Sequence, residues 1–247
     1  MNAPTPETMQ PTTELVPPAL GSGSMFDRIA RRYDFCNRVL SLGFDKSWRR
    51  RTVRSLQLGE RPRVLDVATG TGDLAIDIAR AHPGATIIGL DPSTQMLAIA
   101  EQKLARRGFS ARVTLVVGDA QALPYKSCEM DAATIAFGIR NVPDRAAALR
   151  ELARVVRPGG RVAVLGEPRG RFLGRVARFH CRHVVPRIGA LLSGSREYGY
   201  LQKSVAAFPP AEEFAALMQR SGLHVVEVVP LTFGACTLYV ATPAEES

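Results

Sequence analysis

The chain has 247 residues, 46% hydrophobic, 6% aromatic and 22% charged, with 32 Lys and Arg against 23 Asp and Glu for a formal charge of +9. These proportions fit a globular chain and exclude collagen-like, fibrous and wholly disordered classes. No window holds the roughly 18 consecutive apolar residues of a spanning helix, and Met1 is followed by neither a basic nor an apolar leader region, so a cytoplasmic location is expected. The positive excess points to an anionic neighbour, whether nucleic acid, an acidic bilayer or an anionic substrate. Cys36, Cys128, Cys181 and Cys236 match neither a zinc spacing nor a redox pair and read as reduced, mostly buried thiols.

Residues 1–24 are rich in Pro, Thr and Gly and read as a disordered tail, with Met25 an alternative start. Residues 25–247 read as a single domain. Its first part, 25–60, is an N-terminal helical cover in which Phe26, Ile29, Tyr33, Val39 and Leu40 form an apolar stripe. From residue 62 short apolar runs alternate with helical stretches: RVLDVA, ATIIGLD (85–91), RVTLVVG (112–118), DAATIAF (131–137) and RVAVLGE (161–167). Such alternation predicts a parallel sheet wrapped on both faces. The intervening helices show in the periods of Met96, Leu97 and Ala100, and of Leu149, Leu152 and Val156. A last helix over 211–220 leads into HVVEVVP and LTFGACTLYVAT, whose short link predicts an antiparallel pair rather than a crossover.

The first strand runs into VLDVATGTGD, residues 64–73, so Asp66, Gly70, Gly72 and Asp73 fall in a strand-to-helix turn. Glycines there let backbone approach a ligand at the carboxyl end of the sheet, where open α/β sheets bind nucleotides. The next strand ends in Asp91, about 20 residues on, where a carboxylate can take both hydroxyls of a ribose. A dinucleotide and S-adenosylmethionine both fit that pairing. Three features favour the second: Asp73 directly after Gly72 repels a phosphate but suits a sulfonium, Asp119 in GDAQALPY is placed for an adenine amino group with Ala120 against the ring, and Pro158-Gly159-Gly160 precedes the fifth strand. Together they resemble the class I S-adenosylmethionine-dependent methyltransferases. That resemblance implies a Rossmann-like α/β fold: a seven-stranded, mostly parallel sheet with an antiparallel last strand and helices on both faces.

After the fourth strand comes AFGIRNVPDRAAALRELARVVRPGG, residues 136–160. With YDFCNRVLSLGFDKSW (33–48) and YLQKSVAAFP (200–209), it resembles the ubiquinone and menaquinone biosynthesis C-methyltransferase family from Met25 to Val240. The resemblance implies S-adenosylmethionine-dependent methylation of a polyprenyl quinol ring carbon, foremost demethylmenaquinol to menaquinol, with another phenolic acceptor as the alternative. The expected cofactor set is Asp66, Gly70, Thr71, Gly72, Asp91, Met96, Asp119, Ala120 and Ala136. Tyr33, Asn37, Phe137 and Tyr200 are expected around the acceptor, and Arg140 with Asn141 beside its ring, stabilising the developing phenolate and orienting a water that accepts the proton. Plainer roles are a surface ion pair of Arg140 with Asp144, and Tyr33, Asp34 and Asn37 bracing the N-terminal helix over the cofactor. The chain departs from the family pattern at Cys36 (usually Met), Asp45 (often His), Ala136 (commonly Ser) and Gly166, where Glu is expected and stands one residue later as Glu167.

Seven arginines and no acid lie between Arg169 and Arg196. Arg171, Arg175, Arg178 and Arg182 share one helical face and Phe172, Val176 and Phe179 another, so 171–209 reads as a helical insertion facing substrate and an anionic membrane interface; a cover helix with solvated arginines is the alternative. A nucleic-acid acceptor is disfavoured, since neither an Asn/Asp-Pro-Pro-aromatic tetrad nor a Pro-Cys pair occurs. A degenerate cofactor-binding scaffold stays as a third class. No metal is expected, the four histidines reading as surface or capping residues. The last strand and the helix from 171 are the surfaces through which a homodimer would form.

Overall fold

The structure is a computed structural model and describes residues 41–166 and 207–244, together with Ala30, Asp34, Asn37, Arg38 and Ser204. The expectations for the 1–24 tail, Met25, Tyr33, Cys36, Cys181, Tyr200 and the arginine face at 171, 175, 178 and 182 lie outside the described residues.

Helix α1 (Asp45–Ser55) precedes a βα alternation: β1 (Arg63–Val67), α2 (Asp73–Ala81), β2 (Thr86–Asp91), α3 (Thr94–Arg107), β3 (Val113–Val117), β4 (Met130–Ala136), α4 (Arg145–Val155) and β5 (Val156–Gly166). Helix α5 (Ala211–Arg220) then leads to β6 (Leu223–Leu231) and β7 (Cys236–Pro243). The seven strands order as β3-β2-β1-β4-β5-β7-β6, with β7 antiparallel to both neighbours and β1 to β5 parallel. Apolar side chains dominate the central strands because both faces are covered, with Asp66 and Thr134 as buried polar residues among them. Leu65, Leu90, Ile135, Leu149, Phe214 and Tyr239 belong to one core, and Val64, Ile76, Ile87, Leu238 and Trp48 to the other.

Local chemistry sets the helix ends. The Ser93 hydroxyl accepts from Met96 N (3.1 Å) at the start of α3, and Gly108 closes it in the left-handed region. The Asp144 side chain accepts from Ala147 N (2.9 Å) to start α4.

Three expectations need correction. Val156 is the first residue of β5 and not the last of a helix; Val155 completes the buried stripe of α4. Pro158-Gly159-Gly160 lies within β5, as an irregularity in which Val156 pairs with Met130 and Arg161 with Ala132, because Gly159 takes a φ of 75°. The last strand, β7, is internal, so it offers no edge to a second copy; β3 and β6 are the edges of this sheet. Cys236 is buried as expected, whereas Cys128 is exposed on a turn with φ 58°. His82 ends α2 and His224 is exposed on β6, in keeping with capping and surface roles. Among the described residues no helix is long and apolar enough to cross a membrane.

The β5 irregularity depends on the absence of a side chain at Gly160, where a Cβ would lie 2.5 Å from Asp131 O and 2.6 Å from Val156 Cγ1. Gly160→Ala is therefore expected to lower the unfolding free energy by about 2 kcal/mol or more, read in urea titrations. Gly159→Ala, open on all sides, is expected to show only the smaller cost of its positive φ.

Candidate active site

The strand order reverses between β1 and β4, and the segments at the carboxyl ends of β1, β2, β3 and β4 converge there. The turn after β1 carries three left-handed residues, Ala68 (φ 52°), Gly70 (φ 56°) and Gly72 (φ 77°). Backbone bonds from Thr69 N to Leu90 O (3.0 Å) and from Gly72 N to Thr69 O (2.9 Å) fold it back. Gly72 packs on α3, where an added Cβ would stand 3.1 Å from Ala100 Cβ.

Two carboxylates hold this turn. Asp91 Oδ2 accepts from Gly70 N (2.8 Å) and its Oδ1 from Ser93 N (2.9 Å), so one side chain joins the turn to the start of α3. A carboxylate has about four acceptor positions, so this bracing is compatible with receiving ribose hydroxyls. Asp66, 1% exposed, accepts from Thr69 Oγ1 and Thr134 Oγ1, both at 2.6 Å. Burial pushes its pKa up from 3.8 to about 6, against the Thr134 and Thr69 hydrogen bonds and with the help of the Asp91 charge. Asp66 and Met96, both expected on the cofactor, thus lie behind the turn: Met96 is 2% exposed and its N–H completes the α3 cap.

Asp119 follows β3 and accepts from Gln121 N (2.9 Å) and the Gln121 side-chain amide (2.9 Å), while Ala120 is buried against the core. After β4, Ala136 is half-buried and Phe137 takes a φ of 56°, held by its N–H to Leu165 O (2.8 Å) and by its ring beside Trp48, with centroids 6.0 Å apart. At Gly138 a Cβ would overlap the Ala68 side chain, so the FGIRN segment rests directly on the turn after β1. Ile139–Asn141 form a 3-10 turn that presents half-buried Arg140 and Asn141. Asn141 Nδ2 donates weakly to Phe137 O (3.4 Å), and its buried Oδ1 has no hydrogen-bond partner. Asp144 does not serve as the surface partner of Arg140: it caps α4 and its long ion pair, 4.0 Å, is with Arg150.

Thr71 is 3% exposed, and its hydroxyl donates to Asp34 Oδ1 (2.5 Å) and accepts from Lys103 Nζ (3.0 Å). Lys103 also pairs with Asp34 (2.8 Å) and Asp73 (2.5 Å). This corrects the expectation that Asp73 serves a sulfonium: its carboxylate opens α2 and is neutralised by Lys103, with Arg49 at 3.7 Å and Arg107 at 3.9 Å. The departure at Asp45 has the same kind of explanation. Burial raises its pKa, but hydrogen bonds from Arg49 (2.7 Å) and Ser41 (2.9 Å) win and hold it below the ordinary value.

The structure therefore brings together the turn, Asp91, Asp119, Ala136, Phe137, Arg140 and Asn141, with Asn37 half-buried in the N-terminal segment. Sequence reasoning missed Trp48, whose Nε1 donates to Thr232 Oγ1 (2.8 Å). It missed Arg145, whose guanidinium lies 5.5 Å from the Phe208 ring and whose buried Nε has no hydrogen-bond partner. Lys103 was also missed; its signal was the three-residue spacing from Ala100, the residue that meets Gly72.

The sequence profile of the ubiE/COQ5 methyltransferase family matches residues 21–243. A relative from Syntrophotalea carbinolica, named ubiquinone/menaquinone biosynthesis C-methyltransferase UbiE, is 46% identical over 90% of this chain and 94% of its own length. One from Thermus thermophilus, named demethylmenaquinone methyltransferase, is 47% identical over 87% of this chain and 98% of its own. Among solved structures, an S-adenosylmethionine-dependent methyltransferase from Thermotoga maritima shares the fold, with a TM-score of 0.63 and 24% identity over 89% of this chain and 98% of its own.

Asp66 gives the site a pH signature. Between pH 3.8 and about 6 the folded chain holds more protons than the unfolded one, so the contribution of Asp66 to stability is present at low pH and lost as pH rises through this window. Urea unfolding of wild type minus Asp66→Asn is expected to fall across the window and level off above it; a difference that rises with pH contradicts the assignment.

Proposed function

The chain belongs to the ubiE/COQ5 methyltransferase family, and from that membership we infer that it is an S-adenosylmethionine-dependent C-methyltransferase acting on a polyprenyl quinol in menaquinone or ubiquinone biosynthesis. Demethylmenaquinol is the proposed acceptor, because menaquinone is the product common to both sets of relatives' names. The observation that carries the reading is the contact of the FGIRN segment with the cofactor turn at Gly138 and Ala68, which sets the proposed acceptor residues beside the proposed cofactor site.

The residues fit the cofactor by their chemistry. Gly70, Thr71 and Gly72 supply a close backbone approach, Asp91 the acceptors for ribose hydroxyls, and Asp119 with Ala120 an acceptor and a flat apolar contact for adenine. Ala136 and Phe137 line the passage from cofactor to acceptor, while Asp66 and Met96 act from behind by holding the turn and the α3 cap. When bound, S-adenosylmethionine supplies an electrophilic methyl that the ring carbon takes while the ring gives up a proton. Arg140 stabilises the phenolate that develops on the adjacent hydroxyl. Asn141 Oδ1, buried without a hydrogen-bond partner, accepts from the quinol or from the water that receives the proton. Phe137 and Asn37 flank the ring, with Tyr33 and Tyr200 proposed to join them; positioning of this kind contributes on the order of 7–11 kcal/mol.

A bilayer-dissolved acceptor also favours peripheral contact of the cytoplasmic protein with anionic membrane through Arg171, Arg175, Arg178 and Arg182, each adding about 1 kcal/mol. Flotation with anionic but not neutral liposomes is the expected result; equal recovery with both contradicts it.

Transfer of a labelled methyl group to reduced demethylmenaquinone is expected to exceed transfer to a reduced methoxy-polyprenyl-benzoquinone, and bulk RNA is expected to take none. Arg140→Leu is expected to lower turnover by about a hundredfold with cofactor affinity unchanged. Full activity in that variant removes Arg140 from the chemistry.

A further inference from the structure

Lys103 stands apart from the residues assigned so far. It lies on α3, only 13% of its side chain is exposed, and its ammonium touches three oxygens from three parts of the chain. These are Asp34 Oδ2 at 2.8 Å in the N-terminal segment, Thr71 Oγ1 at 3.0 Å in the turn, and Asp73 Oδ1 at 2.5 Å at the head of α2. An ammonium has three protons, and these contacts match that number. Thr71 in turn donates to Asp34, closing a ring of Lys103, Thr71 and Asp34.

A purely structural ion pair would not need the turn hydroxyl. Here the charged group that joins the N-terminal segment to α3 also holds the residue between Gly70 and Gly72, the stretch whose backbone must stay in a left-handed path to approach a ligand. Without the ammonium, the carboxylates of Asp34 and Asp73 would face the turn without their shared cation, and Thr71 would lose a charge-assisted hydrogen bond. We propose that Lys103 is a positioning residue for the cofactor: with Asp34 it holds Thr71, and so keeps the turn in the left-handed path along which it approaches the cofactor. Cofactor binding and the Lys103–Asp34–Thr71 contacts are then coupled, each strengthening the other.

The inference rests on the turn being the S-adenosylmethionine site. The test uses the full-length protein, with S-adenosylmethionine affinity measured calorimetrically, the KM for cofactor and for reduced demethylmenaquinone measured separately, and the melting temperature recorded for every variant. Lys103→Met and Asp34→Asn are each expected to raise the cofactor Kd by about tenfold and to raise the cofactor KM by more than the quinol KM. The double variant is expected to be no weaker than the worse single, because both remove one coupling. Arg107→Met, which loses only a long, half-exposed contact of 3.9 Å to Asp73, is expected to bind as wild type. Should Lys103→Met not fold, Asp34→Asn carries the test, since Asp34 keeps 37% of its side chain exposed. A lower melting temperature with unchanged cofactor Kd, or fully additive losses in the double variant, overturns the coupling while leaving the cofactor assignment intact. Wild-type protein that binds no S-adenosylmethionine overturns the assignment of the turn, and the coupling with it.

Discussion

The rest of the site depends on one constraint: the turn after β1 must hold three left-handed residues in five while its backbone stays open to a ligand. Ala68 is not a glycine, and such a conformation costs on the order of 1–3 kcal/mol. Asp91 and Asp66 offset that cost, the first by receiving the Gly70 N–H and the second by binding the Thr69 hydroxyl. The FGIRN segment then rests on Ala68 through Gly138, so its position follows from that of the turn. Phe137, itself left-handed, is pinned by Leu165 and by the Trp48 ring. Strain at Ala68 and Phe137 is thus kept within the two segments that face each other at the head of the sheet.

Much of this was legible in residue order. Continuous apolar runs marked strands buried on both faces, and glycines between a strand and a helix marked the turn. The short link between the last two apolar runs foretold the antiparallel β6–β7 pair, although Pro230 lies within β6, paired with Thr237, and the link itself is Thr232–Gly234. What stayed hidden depends on contacts distant in sequence. Asp73 follows Gly72 directly, so its charge looked available; only packing shows that Lys103, thirty positions away, neutralises it. The internal place of β7 is likewise a property of strand order. Val156 satisfies a helical period and a strand equally well, and the pairing with Met130 decides for the strand.

Two departures from the family pattern, Asp45 and Gly166, have physical settings in this chain. Asp45 opens α1 and is clamped by Ser41 and Arg49, and Arg49 continues to Asp77 at 2.8 Å, so the acid ties α1 to α2. Gly166 ends β5 beneath the aromatic group of Phe208, Phe214 and Tyr239, with the Phe208 and Tyr239 rings 3.6 and 3.7 Å from where its Cβ would stand. A Cβ there would make ordinary contact with these rings.

In the proposed reaction the methyl group goes to carbon and not to oxygen. The most direct measurement is the carbon NMR spectrum of the product formed from methyl-labelled S-adenosylmethionine and reduced demethylmenaquinone. A single enriched resonance in the region of ring-bound methyl carbons is the predicted result. An enriched methoxy resonance, or label recovered on no quinol at all, would contradict it.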